Sequence, residues 1–562
     1  MRSQTALNTP GLQLALPGLS DTPTPFQPLP PTALLPSPTL ANATPEGQPE
    51  PPPSIAVSGL ASVWLPTYLP EALTASLALP DEFIIAPGPE SAGLQLEAGE
   101  GRPVSRWVYA LVAPFPTTIE GVSAQELRQS WKGEAVGPFA GEPLLVDERT
   151  QGALSAWWGE PAAGAVKVLP GNQMLQYAWD RRPSWGIVPF ERLEPRWKVL
   201  EVEGSSPLRK DFDSEMYALA IPFSLNGDPA LADLLLSLDQ STGGSRLGLP
   251  ESNRIPGKLT TVALTGVTAL VRATAFTMHR NGVTYPALDV GELLRSADLT
   301  HISNEIPFTP ECPLPNPTQA GLRFCSDPSY IGLLEEVGTD IVELTGDHFG
   351  DWGPEAMRYT LSMYEDRGWI YYGGGYDRQD ARRARLMEHN GNRLAFIGCN
   401  AKGGGYATAS DNQPGAVACD ADWMHAEIGR LQQDGYLVIA TFQHFEYYTY
   451  AAQPDQIADF RGMAEAGAAI VSGSQAHRPQ GIEFYQDSFI HYGLGNLFFD
   501  QYNYCTDNAC NYGFIDRHVF YAGRYIGVEL IPIQFVDYAR PRPMTFTERQ
   551  VLLEKVFSAS GW

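Results

Sequence analysis

The sequence predicts an α/β (α+β) protein with more than one folded region, and three observations support this fold class. A chain of 562 residues is too long for one ordinary hydrophobic core, so two or three domains are expected. Hydrophobic residues make up 43% of the chain and charged residues 18%, which is the balance of a globular protein. Strand-like apolar runs alternate with amphipathic stretches of helical spacing, as in mixed α/β folds.

Residues 1–55 form a first segment that is rich in proline and threonine and nearly uncharged. Such a composition cannot bury a core and predicts a disordered, extended tether. The segment has no long apolar run of the signal-peptide type, and no stretch of the chain reaches the roughly 20 apolar residues of a membrane span. Because such tethers hold domains away from a cell surface, we expect a missing leader or anchor and an extracellular or envelope-associated protein. An intracellular proline-rich tail is the alternative.

Residues 56–245 are the first region expected to fold. Strand-like runs such as 106–115 and 197–204 mix with helix-like stretches, which predicts an α/β domain. The passages ALVAPFPTTIEGVSAQELRQSW and WGIVPFERLEPRWKVLEVEGSSPL resemble periplasmic substrate-binding proteins, which implies a ligand-binding domain. Residues 246–258 contain glycine, serine and proline and are expected to be a linker. Four tryptophans are candidates for stacking on a ligand, with core or rim packing as the alternative: Trp131, Trp157, Trp158 and Trp185.

Residues 259–540 are the second region, and residues 541–562 are expected to be a tail. Polar side chains follow one strand-like run after another in this region. Because the carboxyl ends of neighbouring strands in an α/β sheet converge on one crevice, we expect these side chains to share a site. They are Arg272, Asn304, Glu305, Asp347, His348, Asp351, His444, Glu446, Tyr447, His477 and Asn496.

Two helices are predicted between these strands by apolar residues at the i, i+4 and i+7 spacing. The first follows Pro354, which suits the first turn of a helix, and its apolar residues are Met357, Leu361 and Tyr364. The second has Met424, Ile428 and Leu431 at the same spacing.

The order of the polar blocks resembles the CapA family of capsule and poly-γ-glutamate biosynthesis proteins, which is similar to calcineurin-like metallophosphoesterases. That family shows a GD followed by an Arg, then NxE, NNHxxD, HxGxEY, GHHPH and SLGNF. The blocks here are LTGVTALVR, SNE, GDHFGD, QHFEYY, GSQAHRPQ and GLGNLFFDQ, in the same order over residues 258–535. The resemblance implies a metallophosphoesterase-type layered β-sandwich flanked by helices.

The same resemblance implies a divalent metal, Mn, Fe or Zn, since His, Asp and Glu are ligands that these ions accept. The implied metal ligands are Glu305, Asp347, His444 and His477. The implied catalytic residues are His348 as general acid, Arg272 as a stabiliser of developing charge, and Asp351. The implied substrate-binding residues are Arg272, Asn304, Glu446, Tyr447, Arg478 and Asn496. Helix capping is the alternative role for Asp351, and loop organisation is the alternative for Asn496.

Departures from the family pattern affect the metal site. The aspartate of the GD is replaced by Val267, and the first asparagine of NNH by Gly346. Ser474 and Gln475 stand where the family has histidines before His477. Because a two-metal site needs several ligands per ion, these changes leave three outcomes: one metal, ligation shifted to Asp347 and Glu305, or no metal.

Two functions follow from the resemblance. The first is a metal-dependent hydrolase or transferase of cell-surface polymer synthesis, acting on a phosphoester or a γ-glutamyl amide. The alternative is a non-catalytic envelope protein that binds a polymer or ligand at a degraded site. The expected partner is an anionic cell-surface polymer or a small-molecule substrate. A net charge of −26 argues against nucleic acid as the main partner, because nucleic acid attracts a positive surface.

All six cysteines lie in the second half of the chain. An even number within one region is typical of disulfides in an oxidising compartment, and none has the spacing of a zinc site. Pairing of neighbours would give Cys312–Cys325, Cys399–Cys419 and Cys505–Cys510, although six cysteines allow 15 pairings.

Overall fold

The computed structural model of the chain describes residues 60–134, 136–239, 247–402, 405–501, 507 and 509–562. The predicted tether at residues 1–55 lies outside the described residues. The described residues all belong to one compact unit. None of the helices among them combines the length and the hydropathy that crossing a bilayer requires.

The first part of the fold is one mixed sheet with helices. Its strands are β1 (Ala61–Trp64), β2 (Phe83–Ile85), β3 (Leu94–Ala98), β4 (Arg102–Pro114), β5 (Gly121–Val122), β6 (Leu144–Val146), β7 (Val166–Val168), β8 (Trp185–Pro189), β9 (Trp197–Val202) and β10 (Ala220–Gly227). Its helices are α1 (Glu71–Thr74), α2 (Ala124–Trp131), α3 (Glu148–Trp158), α4 (Gly171–Asp180) and α5 (Pro229–Leu238). The described strands run in the order β2-β1-β3-β10-β4-β8-β6-β7, and β9 pairs with both β4 and β5.

Local sequence signals explain the helix starts in this part. Ser123 and Glu126 form a capping box at the start of α2, so each satisfies a backbone N–H that the first turn leaves unpaired. Asp147 caps α3 in the same way. Trp131 and Trp185 are only 1% and 2% exposed, which places these two tryptophans in the core rather than on a ligand surface.

The second part contains three further sheets. Its strands are β11 (Leu259–Thr265), β12 (Val267–Thr268), β13 (Leu299–Asn304), β14 (Ile341–Glu343), β15 (Ile370–Tyr372), β16 (Gly374–Gly375), β17 (Arg385–His389), β18 (Asn392–Asn400), β19 (Gly415–Ala416), β20 (Leu437–Gln443), β21 (Ala468–Ser472), β22 (Ile482–Tyr485), β23 (Ser488–His491), β24 (Asn496–Phe498), β25 (Tyr512–Tyr521), β26 (Arg524–Phe535) and β27 (Pro541–Pro543). Its helices are α6 (Arg272–Asn281), α7 (Gly291–Arg295), α8 (Ile331–Glu336), α9 (Gly353–Glu365), α10 (Arg378–Ala381), α11 (Ala421–Gln433), α12 (Pro454–Glu465) and α13 (Phe546–Ala559).

Parallel pairing dominates the centre of the two larger sheets. One sheet runs β15-β14-β13-β11-β25-β26-β27, and its first four strands are parallel. The short strand β12 pairs with β13 and with β24. The other runs β17-β18-β20-β21-β23-β22, and β18, β20, β21 and β23 are parallel. The short strands β16 and β19 pair with each other. The predicted mixed α/β class is confirmed.

The two larger sheets pack face to face and carry helices on their outer faces. Apolar side chains of both sheets, such as Leu264 and Phe396, share one buried cluster between them. A second cluster joins the first sheet to α6, α8 and α9, and a third joins the other sheet to α11 and α12. The result is a helix–sheet–sheet–helix arrangement, stabilised by about 1.5 to 3 kcal/mol for each large apolar side chain that is fully buried.

Both helices predicted from apolar spacing are present, as α9 and α11. Pro354 lies in the first turn of α9, and the three apolar residues of each helix are buried. Within the segment expected as a tail, α13 begins with a capping box of Thr545 and Glu548. It buries Leu552 and Phe557 in the cluster between the sheets, because its apolar residues also recur at helical spacing.

Candidate functional site

Loops from both large sheets meet at the carboxyl ends of their parallel strands. Glu305 follows β13 and Asp347 follows β14 in one sheet. Lys402, Glu446 and His477 follow β18, β20 and β21 in the other. Side-chain contacts connect these five residues and His348, the neighbour of Asp347, into one cluster, which we call the strand-end pocket.

Three side chains of the strand-end pocket are arranged as a metal site would require. Ligand atoms of Glu305, Asp347 and His348 all lie within 4.8 Å of one another. Glu305 is only 1% exposed, and neither of its carboxylate oxygens accepts a hydrogen bond from any described residue. Burial opposes ionisation of Glu305, but the neighbouring His477 and His348 outweigh it and hold its pKa below the ordinary value.

His348 is oriented by Asp351. The Nδ1 of His348 lies 2.8 Å from Asp351 Oδ2, so Nδ1–H donates to the carboxylate and Nε2 is left for the pocket. Asp351 is itself held by the backbone N–H of Phe324 at 2.7 Å and by the hydroxyl of Tyr406 at 2.6 Å. Burial lowers the pKa of His348, but Asp351 and the nearby carboxylate of Glu305 raise it to about 9.

His477 is oriented in the same manner by Asn496. Its Nδ1 lies 2.9 Å from Asn496 Oδ1, and its Nε2 lies 3.6 Å from Glu305 Oε1 and 3.8 Å from Glu446 Oε1. The backbone of His477 has a φ of 51°, which is strained for a residue with a side chain. Asn496 also donates to the His477 carbonyl at 3.3 Å, which helps to hold this conformation.

Lys402 of the strand-end pocket and Gln443 beside it are not among the residues predicted from the sequence. Lys402 Nζ lies 2.6 Å from Asp347 Oδ2 and 2.7 Å from Glu446 Oε1. Gln443 accepts from the Asp347 backbone N–H and donates to Asp347 Oδ1, both at 2.9 Å. Each residue lies at or just after a strand end, and that position is the one signal that would have pointed to them.

Arg272 lies between two aromatic rings beside the pocket. Its guanidinium carbon is 5.0 Å from the ring centre of Phe324 and 4.7 Å from that of Phe499. These rings contact His348 and His477, with centroid distances of 4.7 and 5.2 Å. The Nε of Arg272 is buried without a hydrogen-bond partner among the described residues, and its backbone φ is 51°.

His444 and Tyr447 point away from the three converging side chains. His444 Nε2 lies 3.0 Å from Asp459 Oδ2, and the Tyr447 hydroxyl donates to the carboxylate of Asp455. For His444 the reason is the alternation of side chains along a strand. Gln443, the last residue of β20, faces Asp347, so the next side chain faces the opposite way.

Asn304 and Arg478 also have partners of their own. Asn304 donates to the Ile306 carbonyl at 2.7 Å and to the Tyr364 hydroxyl at 2.8 Å, so it ties the loop after β13 to α9. Arg478 forms two hydrogen bonds with the carboxylate of Asp507, at 2.9 and 2.7 Å.

Comparison with known proteins identifies the family. Residues 261–501 match the family described as bacterial capsule synthesis protein PGA_cap. Capsule biosynthesis protein CapA of Bacillus anthracis is 24% identical over 303 residues, which cover 53% of this chain and 72% of that protein. The region 261–501 is therefore similar to the CapA family. PGA biosynthesis protein CapA of Bacillus subtilis (strain 168) is 27% identical over 173 residues, covering 30% of this chain but only 45% of that protein.

Solved structures similar to parts of the chain include NAD nucleotidase (NadN) of Haemophilus influenzae. It has a TM-score of 0.32 and 9% identity, and the match covers 53% of this chain and 62% of that one. An ABC-type phosphate transport receptor from Vibrio cholerae has a TM-score of 0.25 and 9% identity, with 32% and 92% of the two chains covered. At these TM-scores neither likeness adds to the family assignment.

The departures from the CapA-family pattern have local structural reasons. Val267 is fully buried in a small apolar cluster with Ile306, Phe324 and Phe499, so a carboxylate there would lack polar partners. Gly346 packs directly on the Glu305 backbone, where a Cβ would lie 2.6 Å from the carbonyl oxygen. No side chain fits at that position.

Ser474 and Gln475, which replace CapA-family histidines, lie in a buried polar layer beneath the pocket. Gln475 Nε2 donates to Ser303 Oγ at 2.6 Å, and Ser474 donates to the carboxylate of Glu343. Thr345 Oγ1 donates to the same carboxylate at 2.7 Å. These two positions therefore support the layer below the ligand-type residues and use their polar atoms there.

Two of the three predicted disulfides are confirmed. Cys312 pairs with Cys325 and Cys399 with Cys419. Cys505 of the third predicted pair lies outside the described residues. The Cys399–Cys419 disulfide closes the loop that carries Lys402, so it anchors this side of the strand-end pocket.

Proposed function

We propose that this protein acts in the synthesis or processing of a capsule or poly-γ-glutamate polymer, as a divalent-cation-dependent hydrolase or transferase with a metallophosphoesterase-type sandwich. The relatives that support the biological role are named for capsule biosynthesis, PGA biosynthesis and, in Mycobacterium tuberculosis, polyglutamine synthesis. The bond attacked is a phosphoester or a γ-glutamyl amide. The protein is secreted or attached to the cell envelope, which the two disulfides among the described residues support.

The observation that carries the proposal is the carboxylate of Glu305. It is fully buried, and no described residue donates a hydrogen bond to it. Burying an ionised carboxylate costs several kcal/mol unless it is paired. The one ion-pair neighbour of Glu305 among the described residues is His477, whose Nε2 lies 3.6 Å from Oε1, so the site favours a cation that approaches this carboxylate more closely. Asp347 and His348 offer further ligand atoms within 4.8 Å.

These residues fit one divalent cation of the Mn, Fe or Zn type. Glu305, Asp347 and His348 would hold it with two oxygens and one nitrogen, a ligand set that these ions accept. When bound, such a cation supplies Lewis-acid polarisation of a carbonyl or phosphoryl group and lowers the pKa of water. Asp351 keeps the His348 tautomer that presents Nε2, which is the role of the carboxylate in carboxylate–histidine–metal arrangements.

His477 and Arg272 supply the remaining chemistry. His477, held through Nδ1 by Asn496, presents Nε2 to the pocket and delivers a proton to the leaving group from that atom. In this proposal His348 and His477 exchange the roles expected from the sequence, because the ligand atom of His348 lies among the carboxylates. Arg272 donates to the Asp500 carbonyl at 3.3 Å but forms no ion pair with a carboxylate among the described residues, so its remaining N–H groups can bind an anion. A γ-linked glutamate unit carries a free α-carboxylate beside its amide, which suits this guanidinium.

The test compares the wild type with Glu305→Gln, and Glu388→Gln is the matched control because Glu388 is exposed on β17. After dialysis against Mn²⁺, elemental analysis is expected to find about one Mn²⁺ in the wild type and the control and none in Glu305→Gln. Hydrolysis of γ-glutamyl oligomers and aryl phosphoesters is expected to fall with the metal. Equal Mn²⁺ content in all three proteins, or none in any, would overturn the metalloenzyme proposal.

A second candidate function is binding of an anionic polymer without catalysis. The observation that favours it is the Lys402 ammonium, which already supplies a cation to Asp347 and Glu446. This function predicts that an Arg272→Ala variant loses affinity for poly-γ-glutamate in a pull-down assay. It also predicts that Glu305→Gln binds the polymer as well as the wild type does.

A further inference from the structure

Lys402 is held in the strand-end pocket by its backbone as well as by its charge. Its backbone N–H donates to Asn400 Oδ1 at 2.9 Å, and Asn400 Nδ2 donates to the Thr345 carbonyl at 2.8 Å. The loop therefore starts from a fixed point at the end of β18. The ammonium contacts Asp347 and Glu446 at 2.6 and 2.7 Å, within normal distances for a charged hydrogen bond.

The charges of the pocket are matched to this ammonium. Glu305, Asp347 and Glu446 bring three negative charges into contact, and such a cluster needs counter-ions to stay ionised. Asp347 and Glu446 share the Lys402 ammonium, while His477 and His348 offset the charge of Glu305. Without Lys402, two carboxylates that now share one ammonium would face each other without a cation.

We propose that the Lys402 ammonium takes the place of a divalent cation between Asp347 and Glu446, so that removing it creates room and charge for one more ion. The proposed function above concerns the ion at Glu305, and this inference depends on it only for the absolute number of ions. Oxygen–metal distances are about 2.0–2.2 Å, so the two carboxylates would have to approach each other slightly. Their side chains are 26% and 22% exposed, which leaves them room to do so.

The experiment measures the number of Mn²⁺ ions bound by the full chain. Wild type, Lys402→Met and Lys402→Arg are dialysed to equilibrium against Mn²⁺, and metal and protein are then quantified. Lys402→Met, whose side chain ends one atom short of the ammonium position and carries no charge, is expected to bind one Mn²⁺ more than the wild type. Lys402→Arg keeps the charge and is expected to match the wild type. A Lys402→Met, Glu446→Gln double variant is expected to lose the added ion.

The increment between variant and wild type decides this inference, whereas the count in the wild type tests the proposed function. A Lys402→Met protein that binds no more Mn²⁺ than the wild type would overturn the inference. A wild type without Mn²⁺ and a variant with one would support it and refute the metalloenzyme proposal. Circular dichroism checks that the variants fold, and Lys402→Gln replaces Lys402→Met if the latter does not.

Discussion

Substitution of Gly346 by alanine tests how closely the two ligand-bearing loops approach each other. An alanine Cβ would lie 2.6 Å from the carbonyl oxygen and 2.7 Å from the Cα of Glu305. Ordinary contacts begin at 3.4 Å, so the two backbones must separate by about 0.8 Å. Because the neighbouring atoms belong to the backbone, no side-chain rotation can relieve the contact. The displacement falls directly on Glu305 and on Asp347, the next residue.

The expected magnitude combines two opposing effects. Overpacking a buried contact costs about 1 to 3 kcal/mol, while replacing glycine by alanine stabilises the fold by about 0.4 to 1 kcal/mol through the unfolded chain. Together these effects are expected to lower the free energy of unfolding by about 1 to 2 kcal/mol, which lowers the midpoint of thermal unfolding by a few degrees. Since the ligand atoms move relative to one another, affinity for Mn²⁺ is expected to fall by about 10- to 100-fold.

The assay is thermal unfolding with and without Mn²⁺, together with equilibrium dialysis. Gly257→Ala is the matched control, because Gly257 is exposed and a Cβ built there has no neighbour within 4 Å. It is expected to match the wild type in both measurements. If Gly346→Ala also matches the wild type in both measurements, the conclusion that the two backbones approach this closely is refuted. If it lowers stability but keeps Mn²⁺ affinity, the link between this contact and the ligand geometry is refuted.

Two further predictions concern Asp351 and Lys198. Asp351→Ala removes the acceptor that fixes the His348 tautomer, so affinity for Mn²⁺ is expected to fall by about 10- to 100-fold. Unchanged affinity in equilibrium dialysis would contradict this role. Burial lowers the pKa of Lys198 to about 8, so the folded chain loses this proton at lower pH than the unfolded chain does. The stability of the wild type relative to Lys198→Met is therefore expected to rise between pH 8 and about pH 10.4, measured as the difference in denaturant midpoints. A difference in midpoints that stays constant or falls over that pH range would refute this prediction. In the Lys198→Met variant, Glu120 keeps Arg549 as an ion-pair partner.

Much of the strand-end pocket follows from a pattern that the sequence carries by itself. Glu305, Asp347, His348, Glu446 and His477 each come shortly after an apolar run, and parallel strands end at a common edge. The structure brings these five together across two sheets. The helices α9 and α11 follow from equally local information, the spacing of their apolar residues.

Tertiary structure alone decided which neighbour of a strand end faces the pocket. Gln443 binds Asp347 while His444 turns to Asp459, because side chains alternate and the last residue of β20 sets the direction. A histidine is the more conspicuous residue in the sequence, yet its chemistry does not determine where it points. Arg478, the neighbour of His477, likewise pairs outside the pocket, with Asp507.

The sequence by itself determined the family resemblance, the mixed α/β class and the strand ends at which polar side chains gather. Each of these depends on short local patterns and on the order in which they occur along the chain. It did not determine the charge balance of the pocket. Lys402 lies in a glycine-rich loop without periodicity, and its contacts with Asp347 and Glu446 join residues 55 and 44 positions away. Such contacts depend on how two sheets pack against each other, which is a property of the folded chain.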